Sequence, residues 1–172
     1  QPLNAVMLIV VSLISSLVHI YSRGYMKNDQ RFTTYFAYLS LFTFSMLGLV
    51  ISSNLLQIYV FWELVGVCSF LLIGFWYHRP DVRSAAKKAF IMTRIGDVGL
   101  FIAIALVFWQ IGSFELSELA KAVKTGAIQP SMITLLALLI FLAAIGKSGQ
   151  FPLHTWLPDA MVGPTPVSAL IH

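Results

Sequence analysis

Apolar residues fall into five long blocks separated by short polar stretches. A helix of about 20 apolar residues is long enough to cross the ~30 Å hydrocarbon core of a bilayer. The blocks predict spans over roughly Leu3–Ile20, Tyr35–Ser53, Leu55–Tyr77, Ser84–Ile111 and Met132–Ser148. A sixth begins after Pro164 and stops at His172. Only Ser52-Ser53-Asn54 separates the second span from the third, which predicts a very short turn. Ser113–Lys124 has a different texture: apolar residues recur at helical spacing among charges, with Ser113 as N-cap. It predicts a short surface helix outside the membrane. The chain starts on Gln1-Pro2, almost inside an apolar stretch, and ends in what reads as helix interior, so the expectation is a piece of a longer chain.

Composition turns this pattern into a class. Hydrophobic residues make up 58% of the 172 positions and charged residues 10%, against about 25% charged in a soluble domain. The expectation is an all-α, polytopic transmembrane helix bundle. Cys68 is the single cysteine and lies within a span, so no internal disulfide forms and redox compartment stays open. The net charge of +4 is spread over loops, which argues against a nucleic-acid partner. It is informative for orientation instead. Arg23, Lys27 and Arg31 follow the first span, and Arg79, Arg83 and Lys87 follow the third, on one side if the spans alternate. On the other side Lys121 and Lys124 are balanced by Glu115 and Glu118. By the positive-inside rule the first side is cytoplasmic.

The polar residues inside the spans are the candidate chemistry. Glu63 lies near the middle of the third. A carboxylate there costs a few kcal/mol to insert, and intramembrane ionisable residues are functional-site candidates by default. A structural acid bonded to a neighbouring helix is the bland alternative. Arg94 and Asp97 stand three residues apart on the fourth span, on one helical face, where they can pair. Such a pair is as readily a satisfied structural ion pair. Lys87 extends that stripe and reads as snorkelling to the surface, while Lys88 points about 100° away.

The fifth span ends unusually, in Lys147-Ser-Gly-Gln-Phe-Pro-Leu-His-Thr-Trp-Leu-Pro-Asp159. Lys147 is about 22 Å from the helix start at 1.5 Å per residue. Pro152 and Pro158 break the helix and Gly146 and Gly149 loosen it, which predicts a discontinuous helix near Lys147–Pro158. Broken backbone at membrane depth is tolerated where protein or water surrounds it, and it marks ion paths in transporters. The alternative is a lysine snorkelling to an interface beside a proline that merely ends the span. A buried lysine next to a carboxylate can switch between charged and neutral forms, and Glu63 is the partner expected for Lys147. His154 and Asp159 in the broken segment and His172 beyond it extend the set of titratable groups.

Several stretches resemble the chain 5 (subunit L) family of respiratory complex I. They are Phe61-Trp-Glu-Leu-Val-Gly-Val-Cys-Ser-Phe-Leu-Leu-Ile-Gly-Phe-Trp76, Lys88-Ala-Phe-Ile-Met-Thr-Arg-Ile-Gly-Asp97, Gly146-Lys-Ser-Gly-Gln-Phe-Pro-Leu-His-Thr-Trp-Leu-Pro-Asp-Ala-Met161 and Gly163-Pro-Thr-Pro-Val-Ser-Ala-Leu-Ile-His172. The resemblance covers nearly the whole chain. It implies a fragment of the first repeat of an antiporter-like, proton-translocating subunit of NADH:quinone oxidoreductase. Glu63 matches the family's transmembrane glutamate, Lys147 its lysine in the discontinuous helix, and His172 the histidine of the following helix. Together they would form a proton relay, supported by Arg94, Asp97 and Lys88. Lys87 departs from the family, where many relatives carry an uncharged residue.

The resemblance also implies partners: other membrane-arm subunits, especially another antiporter-like subunit, within a bacterial cell membrane, a thylakoid or an inner mitochondrial membrane. The bacterial membrane is the first expectation. NADH, FMN, iron–sulfur clusters and quinone are expected in other subunits, because this chain has no glycine-rich fingerprint and only one cysteine. Two alternatives stand: the large subunit of a multi-subunit Na⁺/H⁺ antiporter, and a purely structural membrane module whose polar residues act as helix glue.

Overall fold

The computed structural model describes residues 2–172. The seven α-helices are α1 (Pro2–Tyr25), α2 (Phe32–Ile51), α3 (Leu55–Ile73), α4 (Pro80–Ile111), α5 (Leu116–Lys124), α6 (Pro130–Ser148) and α7 (Thr165–Ile171). A short 3-10 helix, Asp159–Val162, precedes α7. Five helices, α1–α4 and α6, are long and apolar enough to cross a membrane. The protein is a multi-pass helical bundle, as the apolar blocks predict.

Local chemistry sets the helix ends. Asn54 caps α3: its side-chain oxygen accepts from the N–H of Leu56 at 2.9 Å and of Gln57 at 3.3 Å. Pro80 and Pro130 occupy first turns, where a missing N–H costs nothing. The proline start lengthens α4 beyond the expected Ser84, to 32 residues or about 48 Å. The third span ends earlier than expected: Gly74 closes α3, and residues 74–78 turn back towards α4. Ser113 does not cap α5. That helix begins at Leu116 with Glu115 in the cap position, and the Ser113 hydroxyl accepts from the Glu115 N–H instead.

The loops pair as alternating spans require. At one end, Leu55 donates to the Phe114 carbonyl at 2.8 Å and Asn54 Nδ2 to Glu115 Oε1 at 3.0 Å, which ties the α2–α3 turn to α5. At the other, Arg31 Nη1 donates to the Phe75 carbonyl at 2.7 Å and Trp76 Nε1 to Asp29 Oδ2 at 2.9 Å. The two basic loops therefore share one end of the bundle.

Packing is closest between α4 and α6. A Cβ placed on Gly96 would lie 2.9 Å from the Leu142 carbonyl oxygen, and one on Gly146 would lie 3.3 Å from the Gly96 Cα. Small residues at such a crossing let backbones approach, which is how helices associate in lipid without a hydrophobic drive. Gly149 then takes a left-handed conformation, φ 60°, and stops α6 two residues past Lys147. From Gln150 to Pro158 the chain runs in turns before it re-enters the bundle through the 3-10 helix and α7.

Candidate functional site

The α4–α6 crossing places charge by simple adjacency. Each of the two contacting glycines is followed directly by a charged residue: Gly96 by Asp97, Gly146 by Lys147. Bringing the glycines together brings those side chains together, and Lys147 Nζ stands 3.4 Å from Asp97 Oδ2. Asp97 is 2% exposed. Its other oxygen accepts the Trp62 indole N–H at 2.6 Å, so α3 grips the same carboxylate from the opposite side. The Trp62 ring also faces Lys147, with Nζ 5.8 Å from its centroid.

Glu63 follows Trp62 and points about 100° round α3. It forms an ion pair with Arg94, one turn before Asp97 on α4. Arg94 Nη2 also reaches the Glu63 carbonyl at 3.4 Å, its guanidinium lies 4.6 Å from the Phe90 ring centroid, and its Nη1 stands 3.8 Å from Asp97 Oδ2. Adjacent residues on α3 thus engage residues three apart on α4. The result is a chain of alternating sign, Glu63–Arg94–Asp97–Lys147, spread over three helices. Glu63 Oε1, Arg94 Nε, Asp97 Oδ2 and Lys147 Nζ are buried without a hydrogen-bond partner among the described residues. The Asp97–Lys147 contact is therefore one of charge rather than a closed hydrogen bond. Four charged groups with unspent hydrogen-bonding capacity are unusual in a merely structural cluster, where buried polar atoms are normally satisfied.

This corrects the expected pairing. Lys147 meets Asp97, and Arg94 lies between Lys147 and Glu63. Helix order alone does not fix which way α3 faces α4, and that rotation decides the partner. Trp62 is a site residue that polarity within the spans does not single out. The signal available for it was its position beside an intramembrane acid, with an indole N–H that buried tryptophan must place.

The remaining candidates separate. Lys88 Nζ pairs with Asp159 Oδ2 at 2.7 Å, half-exposed, and ties α4 to the 3-10 helix away from the cluster. His154 is exposed beside Phe151. His172 lies with its ring 6.0 Å from that of Trp156, and no ion pair or hydrogen bond joins it to the cluster among the described residues. Trp156 is the structural link between them: its indole N–H donates to the Gly146 carbonyl at 3.0 Å. A cavity of about 220 Å³ opens in front of Lys147, walled by Trp62, Gly66, Thr93 and Trp156 and extending to Ile171. Gly66 makes this room, since a Cβ there would sit 2.7 Å from Lys147 Nζ.

Fold and cluster together define a multi-pass helical membrane protein with an ionisable network at its core. The family model described as NADH:quinone oxidoreductase/Mrp antiporter, TM, matches residues 52–172, and that for the chain 5 N-terminus of NADH-ubiquinone oxidoreductase (complex I) matches residues 1–36. The chain belongs to this family of antiporter-like transmembrane subunits.

Among curated proteins it is similar to NAD(P)H-quinone oxidoreductase subunit 5, chloroplastic, of Mesostigma viride (56% identical), Poa pratensis (55%) and Anthoceros angustus (54%). All of this chain aligns, with 27%, 25% and 24% of those proteins respectively. The chain thus spans about a quarter of the length of these relatives. Among solved structures it resembles the Mrp complex from Dietzia sp. DQ12-45-1b, with a TM-score of 0.92 and 36% identity over 100% of this chain and 19% of that one. The expectation of a bacterial cell membrane finds no support in the curated relatives, which are chloroplastic.

Proposed function

We propose that this chain carries half of a proton-translocating path in subunit 5 of an NAD(P)H:quinone oxidoreductase. Electron transfer in other subunits, which would hold the nicotinamide, flavin, iron–sulfur and quinone sites, drives charge movement here. The supporting observation is the alternating chain Glu63–Arg94–Asp97–Lys147, centred on the buried Asp97 and open at its lysine end to a cavity that reaches α7. Protonating either carboxylate frees its cation, and the freed cation repels or attracts the next group along. A charge change at Glu63 can thus move to Lys147 through Arg94 and Asp97. His172, beyond Trp156, is the outlet towards the rest of the subunit. The partners are other membrane-arm subunits, another antiporter-like one foremost. The chloroplastic relatives support a chloroplast membrane, the thylakoid, over the other membranes considered.

The test is proton pumping by the assembled complex carrying Glu63→Gln or Lys147→Ala. The expected result is lost or strongly reduced pumping with the complex intact. Normal pumping by a stably assembled Glu63→Gln complex overturns the proposal.

A second reading, the large subunit of a multi-subunit cation/proton antiporter, is favoured by the Mrp structure. Sodium sensitivity of a strain lacking the chain, with unchanged NAD(P)H:quinone oxidoreductase activity, would select it.

A further inference from the structure

At the basic end of the bundle, a groove of about 370 Å³ runs between α2, α3 and α4. Its walls are apolar or aromatic, including Tyr38, Phe70 and Leu71. Its rim is cationic: Arg31 precedes α2, and Arg83 and Lys87 stand one turn apart on α4. None of the three forms an ion pair among the described residues, because the nearby carboxylates are otherwise engaged: Asp81 with Arg79, and Asp29 with Trp76 and the Arg31 backbone. Arg31 is held in place: one guanidinium nitrogen bonds the Phe75 carbonyl, and its plane lies 4.8 Å from the Phe75 ring centroid and 4.9 Å from that of Tyr77.

Depth matters as much as charge. Helix α4 is about 18 Å longer than a ~30 Å hydrocarbon core requires. Arg83 and Lys87 lie in the first turns of α4 and Phe70 and Leu71 in the last turn of α3 beside them, so cationic and apolar side chains meet at the end of the bundle where spans give way to loops. Three unpaired cations above an apolar slot complement a molecule with an anionic head and a hydrocarbon tail. Basic pockets between transmembrane helices select such lipids by their head groups.

We propose that this groove binds an anionic phospholipid, its phosphate between Arg31, Arg83 and Lys87 and one acyl chain along Tyr38, Phe70 and Leu71. The site is independent of the charge cluster, and its test does not require that the cluster moves protons.

The delipidated complex containing the full-length subunit is titrated with short-chain phosphatidylglycerol, with phosphatidylcholine of equal chain length and with glycerophosphate. Bound lipid is counted by native mass spectrometry. The expected result is one phosphatidylglycerol site that Arg83→Gln/Lys87→Gln weakens about twenty-five-fold, at about fivefold per basic residue near the interface. The charge-conserving Arg83→Lys/Lys87→Arg variant should retain that site. So should Arg23→Gln/Lys27→Gln, which removes basic residues outside the groove. Arg83 and Lys87 are exposed, so the complex should assemble in every case. Equal binding of phosphatidylcholine, competition by glycerophosphate at the same concentration, or undiminished binding by the Gln variant overturns the proposal. So does a protein segment that cross-links to position 87 and excludes lipid from the groove.

Discussion

Asp97 is held from two sides: Trp62 Nε1 donates to one carboxylate oxygen at 2.6 Å, and Lys147 Nζ faces the other at 3.4 Å. The shorter contact fixes the carboxylate and the longer one leaves it free to respond. Lys147 can therefore change charge or position without Asp97 rotating, because the indole holds the carboxylate plane.

Removing that hold has a defined consequence. Trp62→Phe keeps an aromatic ring against Lys147 and deletes only the donor. A hydrogen bond to a charged group contributes about 1.5–3 kcal/mol, so the thermal stability of the assembled complex should fall measurably. Proton translocation should slow, with an altered pH profile. An unchanged profile at full rate would mean that the indole contributes packing alone.

Two glycine substitutions should fail differently. Gly96→Ala drives a methyl into the Leu142 carbonyl at the α4–α6 crossing and should reduce assembly, since overpacking costs about 1–3 kcal/mol. Gly66→Ala meets the ends of two flexible side chains, Lys147 at 2.7 Å from Nζ and Arg94 at 3.5 Å from Nη2. It should assemble and lose translocation. Native gels read the first effect and proton-pumping assays the second.

The cluster should behave non-additively. Arg94→Gln leaves the partly buried Glu63 without its cation, at a cost below the ~3–5 kcal/mol of breaking a fully buried pair. Adding Glu63→Gln removes the stranded charge. The double variant should melt at a higher temperature than Arg94→Gln alone while remaining inactive in pumping. A double variant that melts lower than both single variants would show that the two residues do not act as a pair.

Lys88 and Asp159 should matter little to stability. Both are about half-exposed, and such pairs contribute about 0–1 kcal/mol. Lys88→Ala should leave the melting temperature nearly unchanged. If pumping falls nonetheless, and the charge-swapped Lys88→Asp/Asp159→Lys variant restores it, the pair serves to hold the broken segment against α4.

Much of this architecture was readable before the structure. Apolar runs mark the spans because bilayer thickness sets their length, and Lys147 beside Gly149 and Pro152 announces the broken helix. Glu63, Arg94, Asp97 and Lys147 were all visible as polar residues in apolar surroundings. Their pairing was not, since the rotation of α3 about its axis comes from packing across the whole interface. Gly96-Asp97 and Gly146-Lys147 share the order of a contact glycine followed by a charge, which is how the crossing brings Asp97 and Lys147 together. His154 stands out by its chemistry and His172 also by the family resemblance, and among the described residues neither is joined to the cluster by a hydrogen bond or ion pair.

The stop at Gly149 has an electrostatic meaning of its own. It ends α6 within a turn of Lys147, so the lysine belongs to the helix end where the dipole is negative, which a continuous helix would not have there. Of the last-turn carbonyls, that of Ile145 accepts the backbone N–H groups of Gly149 and Gln150 and that of Gly146 the Trp156 indole N–H. Lys147 thus sits between a negative potential that protonation can switch off, Asp97, and one that is permanent. The permanent one gives the cation a resting place whenever Asp97 is neutral, so the lysine need not leave its helix end for the network to change state.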